Sequence, residues 1–319
     1  MSANDIAVES KITLSRNVKG YPFPSRLRDT RANVIASGVY EALAHDGGYE
    51  LYKIAQMSDD ICKRLRERGL ISDRLTESPY GSAIVSGDES VSVMINEEDA
   101  VVEQYFGKGE CLSALYEKAT AIDDEIGKKE EFCFHPRLGY LTSCPDSVGT
   151  GMHASVTLFL PALALTKSLQ SCASSVSRLN ISINSVYDDS VEAYLYTVTN
   201  QQTLGLSEAE IIDLVGKAVN HLIEAEEKAR RMLKISSESQ VRDKSMRAFG
   251  LMKNAYKMSA TEMMELYCWA KLGAYYGFVS FDTERAASLI KSLMPAAINT
   301  AGTADEEVYR AEMLRKELN

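Results

Sequence analysis

Two groupings in this sequence carry the residue types that do chemistry. Glu97, Glu98 and Asp99 close a segment whose Val91–Ile95 core is apolar. Cys144 and Pro145 end a second apolar run; a turn through Gly149 and Gly151 follows, then a strand pattern with Ala154, Val156, Leu158 and Leu160 on one side. A carboxylate set against a planar cation forms a bidentate, charge-assisted pair. A thiol joins such a site as thiolate only where nearby positive charge lowers its pKa. The plainer reading of the same residues is a solvated acidic turn and a small buried cysteine. His153 has the type for a pH-dependent phosphate contact, against the structural role histidines on strands commonly have. His135, beside Pro136 and Arg137, reads as a packing residue. Gly149-Thr150-Gly151 is too short a glycine pattern to indicate a nucleotide loop.

The elements that must position these residues follow from periodicity. Residues 9–15 alternate polar and apolar and read as a strand, which Arg16-Asn17 and the Gly20–Pro24 segment break. From about Leu27 to Arg68 the pattern is mostly helical, with an interruption at Asp46–Gly48. Ala83–Val85 and Val91–Ile95 read as paired strands across Gly87-Asp88-Glu89. Residues 110–127 form an amphipathic helix with Leu112, Leu115, Ala119 and Ile122 on one face. Strands are expected at 139–143, 152–160, 179–184 and 193–198, with a helix over 162–175. Ser207–Glu210 is a capping box opening a helix to about Leu233, and Ser259–Glu262 opens another. No strand pattern remains after 235. The aromatic group Trp269, Tyr267, Tyr275, Tyr276 and Phe278 reads as core of that tail.

The expected fold class is therefore α+β: an antiparallel sheet flanked by helices over residues 1–235, and a small all-helical domain over 236–319. At 319 residues, with 45% hydrophobic and 25% charged, the chain has material for a core and for two unequal units. A net charge of −10 argues against nucleic-acid or anionic-membrane binding, which need a basic face. Six scattered cysteines and four histidines suggest neither a disulfide framework nor a metal centre, so the thiols are expected reduced. No apolar run reaches membrane-spanning length and the first residues lack a leader pattern, so the expected location is cytoplasmic.

The stretch Phe134–Leu160 resembles the signature of the ATP:guanidino phosphotransferases, which reads Cys-Pro-Thr-Asn, Gly-Thr-Gly, then Arg-Ala-Ser-Val. Asp88–Asp99 resembles the family segment ending in Asn-Glu-Glu-Asp. Tyr21–Pro24, Thr199–Glu208 and the closing Tyr309–Arg315 helix resemble the bacterial protein-arginine kinases in particular, as does the lack of an extra N-terminal helical domain. The resemblance implies the guanidino-kinase catalytic fold, a curved antiparallel sheet backed by helices. It implies phosphoryl transfer from Mg·ATP to a guanidinium, with Glu98 as base and Cys144 against the same group.

The resemblance also implies a cage of five arginines around the phosphates, since transfer is mostly positioning and charge neutralisation. Where the family has Ser-Arg-Ile-Arg, this chain has Ser10-Lys11-Ile12-Thr13. The next two positions are Val102 and His153, and the fifth aligns to Asn184 in the Asn184–Asp189 loop, whose Asp188 and Asp189 add negative charge. None of the arginines is kept. Arg16 is the candidate for a residual phosphate contact. Glu306 and Glu307 fall where the protein-arginine kinases carry an Arg-Asp pair that reads phosphoarginine.

One such arginine is worth about 10³–10⁵ in rate in related phosphoryl transfer. The leading expectation is a pseudokinase with no cofactor, acting by binding a kinase paralogue or arginine-bearing proteins. The alternative is an active protein-arginine kinase using Mg·ATP through Lys11, Arg16, Arg178 and His153. A third is a structural partner in a hetero-oligomer. Homo- or hetero-oligomeric state stays open.

Overall fold

The computed structural model describes residues 5–27, 29–44, 47–188, 191–299 and 305–318. The first four residues, the expected break at Asp46 and the loop residue Asp189 lie outside the described residues. At the centre stands an eight-stranded sheet, all of it antiparallel. Its strands are β1 (Ala7–Arg16), β2 (Tyr49–Lys53), β3 (Ser82–Ser86), β4 (Val91–Ile95), β5 (Val101–Lys108), β8 (Met152–Phe159), β9 (Ile181–Ser185) and β10 (Leu195–Asn200), in the order β2-β3-β4-β5-β1-β8-β10-β9. Two short strands, β6 (Phe134–His135) and β7 (Gly139–Tyr140), pair separately.

Side chains alternate across a strand, so each strand divides its residues between two faces. One face carries Ile12, Leu14, Val93, Ile95, Val101, Tyr105, Ala154, Val156, Leu158 and Val198, all buried. Against it pack α1 (Asp29–Leu43), α4 (Leu112–Lys129) and the first part of α7 (Glu208–Asn254), through residues such as Ile35, Val39, Leu115, Ile126, Val215 and Leu222. The opposite face is covered only in part. There α2 (Asp59–Glu67) and α3 (Asp73–Glu77) bury Leu65 and Leu75 against Ala83, Val85, Met94 and Val102.

Several boundaries differ from expectation, each for a local reason. The stretch expected to be helical from Leu27 to Arg68 contains β2, where Tyr49 and Leu51 alternate with Glu50 directly after a Gly-Gly pair. Strand β5 was not expected because Glu103 and Gln104, in its middle, are buried and mask the period. The helix expected over 162–175 is two, α5 (Pro161–Leu165) and α6 (Leu169–Ser177), separated where Lys167 adopts φ 58°. The 139–143 strand shrinks to Gly139–Tyr140. His135 does not pack: it is exposed, with Nδ1 accepting from the Arg137 amide at 3.2 Å.

Helix α7 opens with the expected capping box, Glu210 N–H donating to Ser207 Oγ at 3.3 Å and Ser207 N–H to Glu210 Oε2 at 2.7 Å. Its first stretch ends close to the expected Leu233, at a kink where Ser237 leaves helical geometry (φ −144°, ψ 25°), and a second helical stretch continues to Asn254. Beyond it lie α8 (Ala260–Tyr276), α9 (Thr283–Ser292), α10 (Pro295–Asn299) and α11 (Glu306–Leu318). They share a second cluster with Trp269, Tyr267, Met252, Ile290 and Leu314. Phe159, Ala162 and Ala193 of the sheet region belong to that cluster, so the helices seat directly on the end of β8.

A buried ion pair marks this joint. Glu226 accepts from the Ala162 and Leu163 amides at 3.0 and 2.8 Å, filling donors that the short α5 leaves open. Arg230 Nε donates to Glu226 at 2.7 Å, and its guanidinium lies 4.4 Å from the Tyr275 ring centroid.

Candidate functional site

Register brings the five cage positions to one face of the sheet. Thr13 pairs with His153, and Lys11 with Ser155 and Phe106; Ser15, two residues along β1, pairs with Val102. Asn184 pairs with Thr197, which pairs with Thr157. Residues directly opposite in antiparallel strands share a face. Lys11, Thr13, Val102, His153 and Asn184 therefore all lie away from the main core.

What stands at these positions is largely occupied by the protein itself. With its amide oriented to satisfy both ends, Gln104 accepts from Lys11 Nζ at 2.8 Å and donates to the Gly69 carbonyl at 3.1 Å. Lys11 also lies 5.3 Å over the Phe106 ring, and burial lowers its pKa. His153 Nε2 is 3.2 Å from Ser147 Oγ and Nδ1 is 3.3 Å from the Asn200 carbonyl. A carbonyl only accepts, so Nδ1 donates there, and both ring nitrogens are taken. Val102, 6% exposed, belongs to the apolar cluster under α2 and α3. Asn184 is exposed, its amide donating to Ser182 Oγ at 3.3 Å.

Arg16 corrects an expectation. It is 2% exposed and sits on the main-core side, not toward the cage positions. Its Nε and Nη2 grip Asp123 of α4 at 3.0 and 2.9 Å, and Nη1 donates to the carbonyls of Ser15 and Thr150, both at 3.0 Å. The Tyr140 ring covers it at 3.6 Å. This packing explains Gly151, whose φ is +63° and whose missing Cβ would lie 2.6 Å from the Ser15 carbonyl. The Gly149–Gly151 turn is thus shaped by close approach to β1. Arg178 is exposed at the C-terminal end of α6.

The acidic turn and the cysteine segment form a second, connected group. Asn96 turns the chain with φ +60°, its amide N–H bonded to the Ala100 carbonyl at 3.0 Å. Asp99 Oδ1 accepts from Asn17 Nδ2 and from the Ser143 amide, each at 2.6 Å. Asn17 also donates to the Leu141 carbonyl and accepts from the Ala100 amide, both at 3.0 Å. Burial pushes the Asp99 carboxyl up, against these hydrogen bonds. The turn bearing Glu98 is therefore fixed to the segment bearing Cys144. Cys144 is half-buried, its carbonyl accepting from Thr142 Oγ1 at 2.8 Å and the Ser147 amide at 3.1 Å.

Glu97 and Glu98 face α3. Ser72 caps that helix by accepting from the Leu75 amide at 3.0 Å, and its hydroxyl donates to Glu97 at 2.7 Å. Arg74 then places Nη1 2.6 Å from Glu98 Oε1, with side chains 61% and 38% exposed. Neither Asn17 nor Arg74 stood out in the sequence, because their partners are 82 and 24 positions away. In the first turn of α11, Glu306 is half-buried and Glu307 exposed, while Arg310 turns inward to the Leu293 and Met258 carbonyls at 2.9 and 2.8 Å.

A large antiparallel sheet, a helical layer on its main core face and a helical C-terminal region make this a guanidino-kinase fold. The chain belongs to the ATP:guanido phosphotransferase family: the profile of that family's C-terminal catalytic domain matches residues 32–229. Curated relatives described as protein-arginine kinase span almost all of it. The one from Desulforamulus reducens is 34% identical over 99% of this chain and 93% of its own length, and the one from Clostridium acetobutylicum 33% over the same shares. That from Staphylococcus aureus (strain USA300) is 31% identical over 98% and 94%. Among solved structures, lombricine kinase aligns with a TM-score of 0.61 and 22% identity, covering 70% of this chain and 67% of that one. The duplicated taurocyamine kinase from Schistosoma mansoni aligns with 0.66 and 20%, covering 96% and 48%. Among the described residues, no helix is long and apolar enough to cross a membrane.

The family's cofactor is a poor match to the residues present. A nucleotide triphosphate needs several converging cations, and of the cage positions Lys11 alone is charged.

Proposed function

We propose that this protein is a pseudokinase that recognises arginine side chains on a kinase paralogue or other protein and does not turn over nucleotide. The observation that carries the reading is Val102. A cage position has been absorbed into apolar packing beneath α2 and α3, where a guanidinium would be buried without a partner. Three further observations agree: Thr13 and Asn184 are uncharged, His153 is held at both nitrogens, and Arg16 is closed into the core by Asp123.

The acceptor side keeps what binding needs. Glu98 offers a partly exposed carboxylate, and Asp99 fixes it relative to Cys144. A carboxylate can take both N–H groups of one edge of a guanidinium, a geometry that lysine cannot reproduce. Without a phosphoryl donor, such a site binds and releases arginine unchanged. The test is calorimetric titration with Mg·ATP and Mg·ADP: no heat at submillimolar nucleotide is expected, and micromolar affinity sinks the reading.

The intact Glu98 and Cys144 with a half-buried Lys11, the one charged cage position, favour a second reading, an active protein-arginine kinase with an altered Mg·ATP site. It requires acid-labile phosphate on an arginine-containing protein, lost in Glu98→Gln. Transfer no greater than a no-enzyme control removes it.

A further inference from the structure

We propose that Arg74 is an internal guanidinium that occupies the Glu98 carboxylate, so that an incoming arginine side chain must displace it. The inference rests on the arginine-recognition reading and names what regulates that site. Its basis is the placement of α3. Ser72 ties the start of this helix to the acidic turn by capping the Leu75 amide and donating to Glu97 in one step. Leu75, fully buried, holds the same helix to the sheet. Anchored at both points, α3 presents Arg74 to Glu98 in a charge-assisted contact through Nη1 at 2.6 Å, on the carboxylate that an incoming guanidinium would use.

The contact is suited to exchange. The Arg74 side chain is 61% exposed and that of Glu98 38%, so water and a competing arginine can both reach the pair. An exposed ion pair of this kind is worth about 0.2–1 kcal/mol, an occupancy bias of about 1.4- to 5-fold. That is enough to tune affinity and too little to close the site. Asp99 is buried and its Oδ1 accepts from Asn17 and Ser143, while Arg74 pairs with Glu98. The partner is defined by chemistry: a planar cation with two parallel N–H donors, an arginine side chain on an accessible segment.

The experiment measures binding of a fluorescent peptide containing one arginine among small neutral residues, with a lysine peptide as control. Wild type, Arg74→Ala, Arg74→Lys, Glu98→Gln and the Arg74→Ala/Glu98→Gln double variant are compared at low salt, with unfolding curves to verify folding. Arg74→Ala should tighten binding of the arginine peptide about two- to fivefold, with Arg74→Lys intermediate. Glu98→Gln should weaken it about tenfold or more, and Arg74→Ala should give no gain on top of Glu98→Gln. If Glu98→Gln weakens binding but Arg74→Ala leaves it unchanged or weaker, the internal-occupant inference is overturned while arginine recognition stands. If Glu98→Gln binds like wild type, the recognition site itself is wrong and both fall.

Discussion

The Asp99 carboxylate accepts the Ser143 amide at 2.6 Å, joining two segments 44 residues apart in sequence. On one side of this bond is Glu98, on the other Cys144. A site for a planar cation requires its groups at fixed separation, since a bidentate pair tolerates little lateral play. Asp99 itself is 1% exposed. Its part is positioning, and the bond from Asn17 at 2.6 Å extends that frame to the end of β1.

Removing this frame has a direct cost. Asp99→Ala leaves one N–H of the Asn17 amide and the Ser143 N–H without their acceptor, which should lower stability by about 3 kcal/mol. Asp99→Asn keeps one acceptor oxygen at similar volume and should cost less. Urea denaturation of the two variants checks the order, and equal stability of Asp99→Ala and wild type would refute the frame.

Restoring an arginine at a cage position should succeed or fail by local packing. Val102 lies among Ile54, Leu65, Leu70 and Leu75, so Val102→Arg both overfills the cluster and buries an unpaired charge. The expected loss is at least about 2–4 kcal/mol. Thr13 is half-buried on the open part of the face, and Thr13→Arg should cost under about 1 kcal/mol. Chemical denaturation of both variants decides it. Equal tolerance would mean that Val102 is not sealed under α2 and α3.

Much of this was legible from the chain, and what was not shares a cause. Strands β1 and β8 alternate buried and half-buried residues, so period finds them; β3 and β4 are apolar on both faces and are found instead as two short apolar runs across the Gly87-Asp88-Glu89 turn. The caps at Ser207 and Ser259 are local bonds spanning three residues and read equally well. Strand β5 escaped because Glu103 and Gln104 put polar atoms at buried positions, Glu103 accepting from Tyr105 on the same strand and Gln104 bonding Lys11 and Gly69. Arg16 was misplaced for the same reason: its partner Asp123 is 107 positions away and reaches it only when α4 packs on β1. The cage positions come from the family resemblance, motif by motif; the strand register adds that they share one face. Arg74 facing Glu98 depends on where a five-residue helix docks, which no periodicity encodes.

Arg16 and Asp123 offer a clean contrast between a structural and a phosphate-binding role. Their side chains are 3% and 12% exposed, and removing one partner leaves the other charge buried. Arg16→Met should therefore destabilise by about 3–5 kcal/mol. Asp123→Asn should lose less, because the amide oxygen can still accept from Nε. A phosphate-facing Arg16 would instead leave stability nearly unchanged on substitution, and thermal unfolding separates the two.

Glu103 sets a pH dependence whose sign can be worked out. It is 0% exposed; one oxygen accepts from the Tyr105 hydroxyl, and the other has no hydrogen-bond partner among the described residues. Burial foremost, then the nearby Asp123 charge, raise its pKa well above 4.5, while Arg16 opposes them. In the unfolded chain Glu103 loses its proton near 4.5, but the folded protein retains it to higher pH. Over that interval the folded state binds the extra proton, so stability is fully present below the unfolded value and declines as pH rises through the folded one, by about 1.4 kcal/mol per pH unit. Asp99, also raised by burial, adds a slope of the same sign, so the measurement must be a difference. Glu103→Gln mimics the protonated carboxyl and removes only the Glu103 part. Urea midpoints taken from about pH 5 to 8 should therefore fall more steeply for wild type than for Glu103→Gln. Parallel curves would mean that Glu103 ionises normally and that its burial beside Asp123 is wrong.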